Sequence, residues 1–234
     1  MAREDTAGIF KALAGKTGMC PATALLDPVK VAEQPIGADY GGASLLSTEG
    51  KSPAWELPQR QMIECVCTGP SVGGQSFLEC LINASWPSGV FTALVDAGHG
   101  FDPGSLKTGP DNHFFWVQVR SCKQLTKALD IILRDDNFAF VAADLRGLSN
   151  AQLQTIQPFV WYRLQRLAHQ RAGGCVVFTR KPSVRCADRR IALSRARCLD
   201  DLDQSRETLL TDIQNSVHYM NRGQVTIPEA AIAG

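Results

Sequence analysis

The chain has 234 residues, of which 44% are hydrophobic and 20% charged, and its formal net charge is +1. A chain of this length can bury one full hydrophobic core but is too short for a second large domain. No apolar stretch reaches the length of a membrane span, and no charged-then-apolar leader opens the sequence. We therefore expect a cytoplasmic protein that makes no contact with a membrane.

The first 55 residues predict a helix on a linker. Residues 1–20 have Asp5 or Thr6 as a helix cap, with Ile9 and Phe10 on the apolar face that follows. Residues 21–55 are rich in proline and glycine, which is typical of a linker. Ile9 and Phe10 either pack against the chain's own core or dock on a partner, and the sequence leaves both alternatives open.

The predicted α/β core spans residues 56–198 and begins with a buried strand at residues 61–67. Residues 69–76, GPSVGGQS, have the frame of a phosphate-binding loop, G-x-x-x-x-G-K-[ST], but Gln75 stands in place of the lysine. The backbone of this loop is suited to cradle phosphates, and Ser76 is suited to hold magnesium, but the cation that neutralises the phosphates is missing.

Strand and helix patterns alternate through the rest of this core. Further strands are predicted around residues 95, 114–119, 138–144 and 173–181, and Ser121 and Ser149 or Asn150 are placed to cap helices between them. Pro158 should kink or split the helix that follows Ser149. The order predicts a mostly parallel sheet with helices on both faces.

Residues 180–197 form a basic segment with seven Lys or Arg residues and one acid, Asp188. It is either a surface that contacts phosphate or an acidic partner, or the solvated outer face of a strand. No aromatic residues are interleaved for base stacking, so we expect weak direct DNA binding or none. The candidate surface residues are Arg180, Lys181, Arg185, Arg189 and Arg190.

The last segment, residues 199–234, is predicted to contain a helix over residues 202–220 and a mobile tail. The eight cysteines of the chain show no C-x-x-C spacing and lie mostly in apolar runs. We therefore expect reduced cysteines rather than disulfides or a metal site.

Several of these segments together resemble the RecA recombinase family. Residues 56–76, ELPQRQMIECVCTGPSVGGQS, are similar to the RecA strand and Walker A loop, and VDAGHGFDP at residues 95–103 is similar to the RecA segment D-A-E-H-A-L-D-P. FAFVAADLRGLS closes on Asp144 like a Walker B strand, and GGCVVFTRK at residues 173–181 resembles the strand that follows. The resemblance covers about residues 40–198 and implies a RecA-like, P-loop NTPase-type fold.

The resemblance also implies a loss of catalysis. The RecA glutamate that activates the attacking water corresponds to Gly98, and the nucleotide-sensing glutamine corresponds to Thr179. Both DNA-binding loops look shortened. We predict no enzyme activity, no catalytic residue, no metal site and no required cofactor, although weak binding of ATP and magnesium is compatible with the residues that remain. The vestigial nucleotide site comprises Gly69, Gly74, Gln75, Ser76 and Asp144.

A RecA-like core with these losses looks like the ImuA and SulA-like group of SOS-associated proteins. This likeness implies an accessory factor in mutagenic translesion synthesis, with a RecA filament or a translesion polymerase accessory protein as partner and with possible self-association. A SulA-like inhibitor of cell division is one alternative. The other is a divergent ATPase that recruits a different cation, such as Lys107, Lys123 or Arg146, to the phosphate site.

Overall fold

The computed structural model describes residues 57–69, 72–85, 91–106 and 113–220. The predicted N-terminal helix with Ile9 and Phe10, and the predicted linker at residues 21–55, lie outside these ranges. The same is true of the predicted tail beyond residue 220.

The described residues form one sheet of seven strands, in the order β3-β2-β4-β5-β1-β6-β7. Every neighbouring pair is parallel except the last, in which β7 runs antiparallel to β6. The prediction of an α/β protein with a mostly parallel sheet is therefore confirmed. The strands are β1 (Met62–Cys67), β2 (Phe91–Asp96), β3 (Phe114–Gln118), β4 (Phe138–Asp144), β5 (Gly174–Thr179), β6 (Arg189–Leu193) and β7 (Val217–Met220).

Two of the helices begin at serine caps. Ser121 Oγ accepts a hydrogen bond from Gln124 N at 3.2 Å, and Ser149 forms a reciprocal capping box with Gln152. Pro158 splits the predicted helix in two, as expected, because it lacks the N–H that a continuous helix would need. The α-helices are α1 (Gly74–Ser85), α2 (Cys122–Ile132), α3 (Asn150–Gln154), α4 (Pro158–Gln170) and α5 (Arg206–Asn215).

Both faces of the sheet are covered, because successive strand residues point to opposite sides and both sides are apolar. On one side Leu129 of α2 and Leu164 of α4 pack against the sheet. On the other, Phe77 and Leu81 of α1 and Ile213 of α5 do so. Each such fully buried side chain stabilises the fold by about 1.5–3 kcal/mol relative to its exposed state.

The predicted helix over residues 202–220 is wrong at its C-terminal end. The helix ends at Asn215, and residues 217–220 form β7 instead, with Val217 opposite Leu193 and Tyr219 opposite Ile191. Pairing with β7 satisfies backbone groups that β6 would otherwise expose as the edge of the sheet. The sheet therefore continues beyond residue 198.

The cysteines in the described residues are all free thiols, and most of them are buried: Cys65, Cys67, Cys80, Cys175 and Cys186. Cys198 is exposed and Cys122 half-buried. Within the described ranges no cluster of His, Cys, Asp and Glu is arranged to hold a metal ion. No helix in these ranges has the length and apolar character needed to cross a membrane.

Arg171, at the end of α4, carries a buried guanidinium group that no described residue hydrogen-bonds. Its side chain is almost fully buried, and burial lowers the pKa of the guanidinium. An unsatisfied buried charged group destabilises a fold. We expect Arg171→Met to raise the free energy of unfolding by about 2 kcal/mol, measured by urea denaturation.

The control for this substitution is Arg134→Met, which removes an exposed arginine paired with Asp130 and should change stability by less than about 0.5 kcal/mol. A loss of stability in Arg171→Met larger than in the control would show that Arg171 contributes favourably to the fold.

Candidate functional site

The loop predicted to bind phosphate joins β1 to α1 at the carboxyl edge of the parallel sheet. Gly73 has a positive φ of 81°, and a Cβ placed on it would lie 2.8 Å from Ile213 Cδ1. Glycine is therefore required here both by conformation and by space. Phe77 N donates to Gly73 O at 2.9 Å, which begins α1 directly after the loop. The predicted order of strand, loop and helix is confirmed.

The side chain of Arg146 lies against this loop. Its guanidinium occupies the space where a Cβ on Gly74 would project, and Cys67 Sγ would lie 2.7 Å from the same Cβ. A larger residue at position 74 would displace one of these two groups. Because Gly74 has no side chain, the guanidinium of Arg146 can lie directly against the backbone of the loop.

Arg146 is held there by Asp144, the residue that ends β4. Arg146 Nε donates to Asp144 Oδ1 at 2.9 Å and Nη2 donates to Oδ2 at 2.6 Å. The backbone N of Arg146 also donates to Asp144 Oδ1, at 3.0 Å. Both carboxylate oxygens are therefore engaged by one guanidinium in the bidentate geometry that is strongest for this pair.

The guanidinium of Arg146 keeps its charge in this position. Burial alone would lower its pKa, but the hydrogen bonds and the negative charge of Asp144 outweigh burial and raise the pKa above its ordinary value. The guanidinium also lies over the ring of Phe178, 5.5 Å from the ring centroid. The site thus contains a permanent cation that is already paired with an anion.

Gln75 continues the polar contacts from Arg146 towards α5. Its Oε1 accepts from Arg146 Nη2 at 3.3 Å, and its Nε2 donates to Glu79 Oε1, also at 3.3 Å. Glu79 Oε2 in turn accepts from Arg206 Nη2 at 2.8 Å. The amide of Gln75 is suited to this bridge because it both donates and accepts, whereas a lysine could only donate.

A ligand would have to compete with these internal contacts. Magnesium bound by Asp144 would have to displace the guanidinium from at least one carboxylate oxygen, and phosphate on the loop would have to displace it from Gly74. Ser76 lies half-buried in the first turn of α1, and Gly69 lies at the start of the loop. Gly74, Gln75 and Asp144 are thus brought together around Arg146.

The segment after β2 contains Gly98, which stands where the resemblance places a water-activating glutamate. Gly98 N donates to Asp96 Oδ1 at 3.0 Å, which folds the segment back onto the end of the strand. A Cβ on Gly98 would lie 2.8 Å from Gly147 Cα and 3.0 Å from Gly147 N. Real Cβ atoms do not approach backbone this closely, so the geometry excludes a side chain at position 98 unless one of the two loops shifts.

Two thiols lie beneath the loop on one side of β1. A hydrogen bond between the thiols lowers the pKa of Cys67, and the charge of Arg146 acts in the same direction, against the effect of burial. Burial raises the pKa of Cys65. Because both side chains are almost fully buried, they contribute packing under the loop and are not accessible to a large reactant.

The predicted basic surface is divided by the structure. Arg180, Lys181 and Arg185 are exposed, and no described residue pairs with their charged groups. Arg190 differs: its Nε donates to Glu64 Oε2 at 2.7 Å, and its Nη2 donates to Val184 O at 3.0 Å. Its guanidinium is committed to an ion pair with a fully buried carboxylate, so Arg190 is not available as a docking residue.

Glu64 fixes the turn between β5 and β6. Its Oε1 accepts from Ser183 N at 2.6 Å and from Val184 N at 3.1 Å. Thr179, which stands where the resemblance places a nucleotide-sensing glutamine, donates its hydroxyl to the same oxygen at 2.9 Å. Thr179 therefore has a structural contact, and the sequence signal for this network was the single charged residue within the apolar run MIECVC.

Lys107, Lys123 and Arg146 were the candidate cations for the phosphate site, and the structure brings Arg146 into contact with Gln75. Lys123 is exposed on α2, and Lys107 lies outside the described residues. Comparison of the chain with protein-family models gave no match, and comparison with curated proteins gave none either. Function is therefore inferred from the residues of the chain and their geometry.

Proposed function

We propose that this chain is a RecA-like protein that no longer hydrolyses ATP and that acts by binding other proteins. The observation that carries the proposal is the bidentate pair between Arg146 and Asp144, which places an internal cation over the former phosphate loop. The order of the strands supports a RecA-like fold, because β1 leads through a glycine loop into a helix and is separated from β4 by one strand.

The missing catalytic groups support the same proposal. Gln75 provides no charge for the β and γ phosphates, and Gly98 provides no group to orient water. Removal of one group that stabilises charge in a transition state typically lowers the rate by about 10²–10³. Two such losses in one site leave no basis for turnover.

The cellular role that we propose is that of an ImuA-like accessory factor in the SOS response and in mutagenic translesion synthesis. It follows from the resemblance of residues 56–76 and 95–103 to RecA together with the degenerate site. The partner would be a RecA filament or a translesion polymerase accessory protein in the cytoplasm. Direct DNA binding is expected to be weak, because only residues 145–149 separate β4 from α3.

One observation favours a second candidate function, a divergent ATPase. Arg146 Nη2 lies 3.3 Å from Gln75 Oε1, so a cation is present next to the position of the missing lysine. If nucleotide were to draw the guanidinium away from Asp144, Arg146 would contact phosphate and Asp144 would be free for magnesium. The two candidates therefore differ in whether Arg146 prevents nucleotide binding or contributes to it.

We expect the purified protein to release phosphate from ATP no faster than a protein-free control, with or without magnesium. A coupled phosphate assay measures this directly. Gln75→Lys should also be inactive, because it adds a positive charge but no group that orients the attacking water. Magnesium-dependent turnover that disappears in Ser76→Ala, Asp144→Ala and Arg146→Gln would contradict the proposal and establish the divergent ATPase.

Purification of tagged protein from DNA-damaged cells separates the cellular roles. Recovery of RecA or translesion polymerase components, lost when lysates come from cells lacking that partner, supports the accessory role. Recovery of the division tubulin homologue instead would indicate the SulA-like alternative.

A further inference from the structure

A cavity of about 790 Å³ opens at the carboxyl edge of the sheet, between α3 and α4 on one side and the turn from β5 to β6 on the other. It is separate from the Arg146 site, since none of the residues around Arg146 lines it. Its volume falls in the range of ligand-binding cavities in proteins.

The floor of the cavity is apolar. Val66 of β1, Leu153 and Ile156 from the α3 segment, and Trp161 of α4 contribute to its lining, and each of these side chains is almost fully buried. Tyr162 also lines the cavity but is 58% exposed, so its ring is at the mouth and available to a ligand. Such a floor binds aliphatic or aromatic groups by removing their surface from water.

One lip of the cavity is cationic. Arg180, Lys181 and Arg185 all line it, and all three are exposed and unpaired within the described part of the chain. Among the described residues that line the cavity, none is acidic. The combination of an apolar floor and one cationic lip is complementary to a ligand that carries apolar and acidic groups side by side.

The lip is also held in place before any ligand arrives. Glu64 accepts hydrogen bonds from the backbone of Ser183 and Val184, in the middle of the turn that carries the three cations. On the opposite side, the capping box of Ser149 and the helix start at Pro158 fix α3 and α4. A site that is preformed in this way loses less entropy on binding than a mobile one.

We propose that this cavity binds an acidic peptide segment of a partner protein, with an aliphatic or aromatic side chain on the apolar floor and carboxylates on Arg180, Lys181 and Arg185. This deepens the proposed function, since it rests on the chain being an interaction protein and assigns the surface that does the binding. A single-stranded nucleic acid is the competing occupant, because the exposed ring of Tyr162 would stack one base beside the three cations. It fits the floor less well, since Val66, Leu153 and Ile156 are aliphatic and provide no flat surface for further bases.

The test is a selection from a random peptide display library on the purified full-length chain. The counter-selection uses the charge-reversal variant Arg180→Glu/Lys181→Glu/Arg185→Glu. We expect enriched peptides to combine acidic residues with a large apolar one. The Kd of these peptides, measured by fluorescence anisotropy, should be at least about tenfold higher for the variant than for the parent. A tenfold change corresponds to about 1.4 kcal/mol of binding free energy.

A matched control is the variant Lys123→Glu/Lys127→Glu/Arg166→Glu. It makes the same change in net charge at three exposed positions that do not line the cavity. It should bind the selected peptides like the parent. Occupation of the floor is tested by Gln154→Trp, which places a bulky ring at the cavity and should weaken binding, whereas Phe159→Ser removes an exposed ring that does not line it and should not.

Three results would overturn the proposal. The first is no enrichment, or enrichment of peptides without acidic residues. The second is an equal loss of binding in both charge variants. The third is oligothymidylate that binds the parent more tightly than the selected peptides do and displaces them. The last result would identify a nucleic-acid site. Because ATP turnover is measured separately, an inactive protein without peptide selectivity overturns this site alone, and an active one overturns the proposed function.

Discussion

Glu64→Ala is expected to lower the free energy of unfolding by about 3–5 kcal/mol, the usual cost of breaking a buried ion pair by removing one partner. Glu64 is fully buried, and its carboxylate accepts hydrogen bonds from Arg190, Thr179, Ser183 and Val184. Alanine would leave the Arg190 guanidinium without its counter-charge and the two backbone N–H groups without acceptors. Urea denaturation followed by circular dichroism measures the loss.

Two further variants show whether the ion pair is responsible. Glu207→Ala removes an exposed glutamate from α5 and should change stability by less than about 0.5 kcal/mol. The double variant Glu64→Ala/Arg190→Met removes both charges, and its loss should be smaller than the sum of the two single losses. Strict additivity would mean that the two side chains do not stabilise each other.

Peptide binding should also weaken in Glu64→Ala, because the turn with Arg180 and Arg185 loses the hydrogen bonds that hold it in place.

Gly147→Ala is expected to lower the free energy of unfolding by about 3 kcal/mol, the upper part of the usual range for overpacking. A Cβ on Gly147 would overlap Gly98 Cα and would lie 3.1 Å from Gly98 N. Both obstacles are backbone atoms, so rotation of a side chain cannot relieve the overlap. One of the loops that follow β2 and β4 must move instead, and that movement disturbs the hydrogen bond from Gly98 N to Asp96.

The matched control is Gly100→Ala, two residues along the same loop from Gly98. A Cβ on Gly100 would have no neighbour within 4 Å, so this variant should unfold within about 0.5 kcal/mol of the parent. Thermal and urea denaturation of both variants test the difference. If Gly147→Ala is as stable as Gly100→Ala, the two loops are not in the close contact described above.

The elements that could be predicted from the sequence are those fixed by local signals. Ser121 and Ser149 provide helix caps, and Pro158 interrupts a helical pattern, so these boundaries are encoded within a few residues of where they occur. The exchange of helix for strand at residues 217–220 has no such local cause. It depends on the free edge of β6, which only the assembled sheet reveals.

The candidate site was only partly predictable for the same reason. The departures of Gln75 and Gly98 from the RecA-like pattern are visible in the sequence, because each is defined by its place in that pattern. The reach of Arg146 back to Asp144 depends on a side-chain conformation, and the contact between Gly98 and Gly147 depends on β2 and β4 being neighbours. From the sequence, Arg190 is predicted to be an outward strand residue. The register of β1 and β6 instead places Glu64 directly beside it.

The contact between the two glycines also limits how this site could be engineered. A single substitution that introduces an acid at position 98 meets the backbone at Gly147 and costs stability before it confers any activity. A lysine at position 75 adds a second cation next to Arg146. Design of an ATPase on this chain would therefore have to change several positions together, with the loop that carries Gly147 rebuilt first.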